Sequence, residues 1–273
     1  MKKLACAMIL ALCVCATGCR AAQNDGEMTA VFFDVGKADA ILLQTDEMAV
    51  LVDAGENKSG DEVVEALRER GVTHLDAMIV THFDKDHVGG ADKVLEGVEV
   101  ERVFEPDYAK DSKQFRQYRE ALAQAGIEAQ TLSENVAFEL GGCSFSIDVA
   151  NEDDYGADEE NDFSLVVRVA FGQSSFLLAG DAENARLAEL LDEGGLDCDV
   201  LKVPHHGGYE ELSPAFFAAC SPEYAVITSS ADEPEDEATV YALETAGAQV
   251  LLTREGTVVL VSDGQSVRLR AGQ

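Results

Sequence analysis

Residues 81–90 read Thr81-His82-Phe83-Asp84-Lys85-Asp86-His87-Val88-Gly89-Gly90, and four potential metal ligands, His82, Asp84, Asp86 and His87, fall within six of them. Immediately before runs Ala77-Met78-Ile79-Val80, a short apolar segment with the character of a buried strand. Immediately after, Gly89-Gly90 permits tight backbone ahead of a helix-like segment over 91–96. The four polar side chains therefore belong to a loop at the carboxyl end of a strand, where α/β sheets place their sites. In an extended segment residues two apart face the same way, so His82 and Asp84 can converge on one point. Asp86 and His87 are adjacent, and a turn can aim both at a second point nearby. That spacing suits two cations a few ångströms apart, with one ligand pair each. A solvated polar loop is the plainer reading, but charge alone gives no reason for His and Asp to alternate after a buried strand.

Upstream, residues 28–35, 40–45 and 48–53 read as three strands joined by tight turns. Residues 61–70 read as a helix with Val63, Val64 and Leu67 on one face. Downstream, 102–105 is a short strand, 112–125 a helix stopped by Gly126, and 128–149 holds three strands. The segment 151–162 is an acidic irregular loop, seven of whose twelve residues are Asp or Glu. Such a charge run is ordinarily solvated surface, though its place beside Asn161 leaves room for it to border a site. Strands over 163–170 and 174–180 lead to Asp181, a helix covers 183–192, and a strand over 198–203 leads to His205 and His206. Helices near 213–219 and 236–246 alternate with strands near 224–229, 249–252, 256–262 and 266–270. Strands and helices are interleaved, with hairpins at both ends and no linker-like break. Residues 28–273 thus read as one domain, and 273 residues supply enough chain for a substantial core. Asp181 stands two residues before a helix and so has a second reading as a helix cap. Asp34 and Asp53 both end strands; they can orient metal-bound histidines from behind, or simply form turns.

Five further segments accompany the central loop in order: Phe33 to Ala40, Leu51-Val52-Asp53-Ala54-Gly55, Asn161 to Val167, Leu178 to Glu183, and Leu201-Lys202-Val203-Pro204-His205-His206-Gly207. Together with His82-x-Asp84-x-Asp86-His87 they resemble the metallo-β-lactamase superfamily, in the branch that includes the hydrolase domain of the competence protein ComEC. The resemblance covers roughly residues 28–270. It implies an α/β (α+β) fold, a four-layer αββα sandwich with two sheets face to face and helices outside. It also implies a hydrolytic centre with two divalent ions, zinc or manganese, acidifying a water between them. By resemblance His82 and Asp84 bind one ion, Asp86 and His87 the other, and Asp181 bridges them. Asp86, His205 and His206 are the candidate catalytic residues; one of His205 and His206 completes a metal shell or meets the substrate phosphate, and the sequence leaves open which. Three departures bear on the second ion and on substrate. Lys37-Ala38 stands where the branch has Gln-Gly, and Gly208-Tyr209 follows His-His-Gly in place of the usual Ser. No histidine lies near Glu233-Pro234, so either Asp232, Glu233 or Glu235 stands in there as an oxygen ligand or the second ion binds weakly.

The first 19 residues carry Lys2 and Lys3, an apolar run from Leu4 to Val14, and small residues up to Cys19. They read as a signal peptide too short to span a bilayer permanently. Ala16-Thr17-Gly18-Cys19 resembles a bacterial lipoprotein processing site, which would leave the protein extracytoplasmic and lipid-anchored at Cys19, with residues 20–27 as a tether. Ordinary secretion, with cleavage near Ala21 or Ala22, is the other reading. Four of the seven cysteines lie in this segment, and Cys143, Cys198 and Cys220 remain, an odd number that is no disulfide framework. The formal net charge of −32 repels polyanions, so long nucleic acid is a poor electrostatic match. A small or cell-envelope phosphoester suits the charge better. Two functions follow: an exported metal-dependent hydrolase of phosphodiester or related ester bonds, and, from another class, a catalytically silent metal-binding or scaffold lipoprotein that keeps the fold.

Overall fold

The structure, a computed structural model, describes residues 26–152, 155 and 160–270. The expected signal segment over 1–19 and nearly all of the tether over 20–27 lie outside the described residues, as does most of the acidic stretch after Glu152.

Two large sheets carry the fold. The first has eight strands in the spatial order Val267–Leu269, Val258–Ser262, Met28–Phe32, Ile41–Gln44, Ala49–Val52, Ala77–Ile79, Val103–Pro106, Gln130–Leu132. The second has seven, in the order Gln249–Leu252, Tyr224–Ile227, Val200–Lys202, Ser174–Leu178, Val166–Phe171, Cys143–Asp148, Val136–Leu140. Antiparallel pairs occupy one side of each sheet, among them Met28–Phe32 with the distant Val258–Ser262, and parallel pairs occupy the other. Thus Ala49–Val52 runs parallel to Ala77–Ile79, and Ser174–Leu178, Val200–Lys202 and Tyr224–Ile227 run parallel to one another.

Alternation along the strands explains the layers. Ala30 and Phe32 face the second sheet, where they meet a core containing Phe145, Val167, Phe176 and Val200. Val31, Leu42, Leu51 and Met78 face the other way, against Val63, Leu67, Val94, Tyr118 and Leu122 of the helices Gly60–Glu69, Ala91–Gly97 and Lys113–Ala125. On the far side Leu177, Leu201 and Ala225 pack against Leu187, Phe216, Phe217 and Leu243, carried by the helices Asn184–Glu193, Ser213–Cys220 and Glu237–Thr245. The result is the four-layer αββα sandwich that the motifs imply.

Local chemistry sets the element ends. Ser112 Oγ accepts the Phe115 N–H at 3.0 Å to start the helix Lys113–Ala125, and Gly126, at φ 71°, ends it in left-handed backbone. Two features were not legible in advance: a two-stranded pair, His74–Leu75 with Glu99–Val100, and a one-turn helix, Lys85–Val88, inside the polar loop. Both are too short to show a hydrophobic period. Cys143, Cys198 and Cys220 are free and buried. Among the described residues no helix is long and apolar enough to cross a membrane.

Candidate metal centre

The parallel strands of both sheets end at one rim of the sandwich, and the candidate residues lie there. Asp53 follows the strand Ala49–Val52, and its backbone N–H donates to Ile79 O at 2.8 Å. Thr81 and His82 follow the neighbouring strand Ala77–Ile79. From the second sheet come Asp181 after Ser174–Leu178, His205 and His206 after Val200–Lys202, and Thr228 after Tyr224–Ile227. Leu165 N–H donates to Thr81 O at 2.9 Å and so joins the two sheets at this rim, while Ala54 N–H donates to His87 O at 2.9 Å and ties the polar loop to the segment after Asp53.

Asp86, His87, Asp181 and His206 converge. Asp181 Oδ2 lies 3.2 Å from both His87 Nε2 and His206 Nε2. These two ring nitrogens are 3.3 Å apart, and Asp86 Oδ2 is 3.4 Å from His206 Nε2. The His82 ring packs beside that of His87, centroids 4.1 Å apart. Among the described residues, His82 Nε2 and Asp181 Oδ1 are buried without a hydrogen-bond partner.

The hydrogen-bond pattern behind the rings fixes which nitrogen faces the centre. Thr81 Oγ1 donates to Asp53 Oδ2 at 2.7 Å, so towards His82 Nδ1, 3.1 Å away, it can only accept. Thr228 Oγ1 likewise donates to Asp39 Oδ1 at 2.6 Å and is left to accept from His206 Nδ1 at 3.0 Å. His87 Nδ1 faces the Asp53 carboxylate at 2.8 Å. All three imidazoles therefore carry hydrogen at Nδ1 and, when neutral, present the Nε2 lone pair to the same region. This is the arrangement of metal-bound histidines oriented from behind.

Charge tells the same story. Burial pushes His82 down to about 4, so it is neutral at pH 7. Burial also opposes charge on His206 and His87, but Asp181, with Asp86 and Asp39 at His206 and Asp53 at His87, outweighs it. These carboxylates raise His206 to about 9 and His87 well above its ordinary value. Asp181 is held well below the usual carboxylate range because the two imidazoliums outweigh its burial. Asp39, Asp53, Asp86 and Asp181 bring four carboxylates to this region, and the Lys202 ammonium lies 2.7 Å from Asp39. Such a site draws in positive charge, and the residues present fit divalent cations: imidazole and carboxylate donors, one carboxylate with a free oxygen, and one ring nitrogen without a partner.

The other candidates are placed as follows. Asp84 does not join the convergence; it pairs with Lys110, which also pairs with Glu160 of the acidic segment. His205 lies to one side, 29% exposed, its Nδ1 3.1 Å from Glu183 and 3.8 Å from Glu210. His205 and His206 both have left-handed backbone, φ 48° and 51°, and this twist turns His206 inward and His205 outward. Asp34 is exposed, so of the two strand-ending aspartates it is Asp53 that backs a histidine. Asp232 and Glu233 are exposed, and Glu235 is tied to Arg254 at 3.0 Å. Asp181 makes no cap: Asp162 Oδ1 accepts the N–H groups of Glu183 and Arg186 at the start of that helix.

Residues 33–228 match the metallo-beta-lactamase superfamily. The chain belongs to that family. It is 25% identical over 226 residues to ComE operon protein 3 of Bacillus subtilis, covering 76% of this chain and 29% of that protein. It is 27% identical over 215 residues to competence protein ComA of Neisseria gonorrhoeae, covering 76% and 28% respectively. These relatives are ComEC-like proteins. The chain thus spans less than a third of the length of the curated relatives it matches. Among solved structures, the metallo-β-lactamase fold protein YhfI of Bacillus subtilis aligns with a TM-score of 0.57 at 12% identity, covering 87% of this chain and 100% of that one. Asp39, Lys110, Lys202 and Thr228 are among the residues around the centre to which the sequence alone assigns no role. Asp39 and Lys202 lie inside quoted motifs, whereas Lys110 and Thr228 carry no local signal.

Proposed function

We propose that this chain is an exported, metal-dependent hydrolase of phosphodiester or related ester bonds with a two-cation centre of zinc or manganese. The observation that carries this is the meeting of His87 Nε2, His206 Nε2, Asp181 Oδ2 and Asp86 Oδ2, next to the unpartnered His82 Nε2. Bound divalent cations would acidify a water and stabilise charge on a phosphoryl oxygen. His82, Asp86, His87, Asp181 and His206 would hold them; Asp181 has one oxygen against the His87 and His206 rings and the other without a partner among the described residues. Asp53 and Thr228 keep the ring nitrogens correctly faced. His205, part exposed beside Glu183 and Glu210, would meet the leaving oxygen, and Lys110 supplies a cation near Asp84.

The name of one relative, competence protein ComA, refers to competence. A net charge of −32 opposes a long polyanion and favours a small or cell-envelope phosphoester. The silent-scaffold reading has its own support: Asp84 is engaged by Lys110, and Glu235 by Arg254, so two residues offered as metal ligands are occupied. Turnover of bis(p-nitrophenyl) phosphate by the zinc- or manganese-loaded chain, abolished by a chelator, is the expected result. Metal bound without turnover of this diester or of ester analogues would favour the scaffold. Export rests on the segment ending at Cys19. Cys19→Ser should release the protein from the membrane fraction, and an unchanged membrane-bound fraction would overturn the lipid anchor.

A further inference from the structure

A lysine side chain with 0% exposure stands at the end of the strand Val200–Lys202. Its ammonium lies 2.7 Å from Asp39 Oδ2, 2.9 Å from Val203 O and 3.5 Å from Gly180 O. Three N–H donors thus face three oxygens, and the charge is satisfied without water. Asp39 is 1% exposed, and its second oxygen accepts from Thr228 Oγ1 at 2.6 Å and lies 3.5 Å from His206 Nδ1. Its backbone N–H donates to Asp86 O at 3.0 Å.

These partners come from opposite halves of the sandwich. Asp39 belongs to the loop between Met28–Phe32 and Ile41–Gln44 of the eight-stranded sheet. Gly180, Val203 and Thr228 each follow a different parallel strand of the seven-stranded sheet. Gly180 directly precedes Asp181, and Val203 precedes Pro204-His205-His206. One ion pair therefore gathers the segments that carry Asp86, Asp181 and His206.

Stability alone does not call for this arrangement. Desolvating two charges offsets much of their attraction, and an apolar pair often serves a core as well. The adjoining strand residues Leu201, Val203 and Val226 are themselves buried. An ion pair with all its hydrogen bonds made adds direction, which apolar contacts do not supply. We propose that Lys202 and Asp39 form a buried strut between the sheets that sets the position of His206 relative to His87, with the Thr228 hydroxyl as its last link. They are positioning residues. The consequence for metal affinity rests on the metal-centre reading above; the geometric claim does not.

The test uses three full-length variants: Lys202→Met, the double variant Asp39→Asn with Lys202→Met, and Thr228→Val. Zinc affinity is measured by competition with a chromogenic chelator, melting temperature on the metal-free protein, and the His87–His206 separation in a metal-free crystal structure. Lys202→Met leaves a buried carboxylate uncompensated and should lower both stability and zinc affinity. The double variant removes both charges and should regain the wild-type melting temperature, yet bind zinc at least tenfold more weakly. Thr228→Val removes the hydroxyl that donates to Asp39 and accepts from His206 Nδ1, leaving the Thr228 carbonyl as the remaining acceptor there; it should lower the melting temperature modestly and weaken zinc binding about tenfold. In both folded variants the Nε2–Nε2 separation should depart from the 3.3 Å of the parent. Wild-type zinc affinity in the double variant and in Thr228→Val, or an unmoved His206, would overturn the strut. If the double variant fails to fold, Thr228→Val decides. If the parent chain binds no zinc or manganese, the metal reading fails on its own, and the His206 position still judges the strut.

Discussion

Asp181 separates a chemical role from a structural one at a single atom pair. One of its oxygens faces two imidazoles at 3.2 Å and the other has no hydrogen-bond partner among the described residues, while the helix behind it is capped by Asp162. Asp181→Asn should therefore leave helix content unchanged but lower phosphodiester turnover by at least about a hundredfold, or about 2.7 kcal/mol of lost transition-state stabilisation. Circular dichroism and turnover on the same preparation check this, and near-wild-type turnover would remove the bridging role. Asp53 acts one bond further out. Its carboxylate accepts both Thr81 donors and faces His87 Nδ1, at a backbone φ of 58° that asparagine also tolerates. Asp53→Asn keeps the turn but aims an N–H₂ at groups that need an acceptor. Zinc affinity should fall about 10- to 100-fold with the fold retained, read by chelator competition.

At the scale of the element, the Gly89-Gly90 pair shows how a correct motif can have a different physical reason. Both glycines have ordinary negative φ, so backbone freedom is not what the position needs. A Cβ on Gly90 would sit 2.1 Å from Ala54 O, because the turn after the metal loop presses against the strand-end segment that follows Asp53. Gly90→Ala should destabilise the protein by at least about 1–3 kcal/mol, the range for overpacking, and weaken metal binding by displacing His87. Denaturant titration of the metal-free chain reads the first effect; an unchanged midpoint would show that the segment yields freely. The Pro204-His205-His206-Gly207 turn is the second such element. Two consecutive non-glycine residues in left-handed backbone are held there by the surrounding contacts, and they decide which histidine enters the centre.

For the whole molecule, the buried charge links stability to pH and to metal. In the metal-free protein His206 is raised to about 9, above its ordinary 6.5. Its contribution to stability is therefore fully present below pH 6.5 and is lost as pH rises towards 9. The metal-free melting temperature should fall across that interval, whereas metal-loaded protein, whose imidazoles are already neutral, should lack this fall. Loading at pH 7 must expel the His206 proton, so zinc addition should release protons into a weakly buffered solution, and affinity should rise with pH. A calorimetric or indicator-dye measurement showing no proton release would contradict this account.

Most of the architecture was legible because long amphipathic helices and alternating strands announce themselves by period. Val63, Val64 and Leu67 mark a helix face, and the apolar run ending at Val80 marks a buried strand. The amino-acid order by itself also determined the family, the crowding of His82, Asp84, Asp86 and His87 at a strand end, and the acidity that disfavours polyanions. Tertiary structure alone decided which of these side chains meet. Asp84 is claimed by Lys110, 26 residues away, and His206 is oriented by Thr228, 22 residues away. Asp39 reaches Lys202 across the sandwich. Such pairings depend on two sheets placing distant loops on one rim, and on backbone twists like that at His205-His206. Neither leaves a periodic trace along the chain, because each is a choice made between segments and not within one.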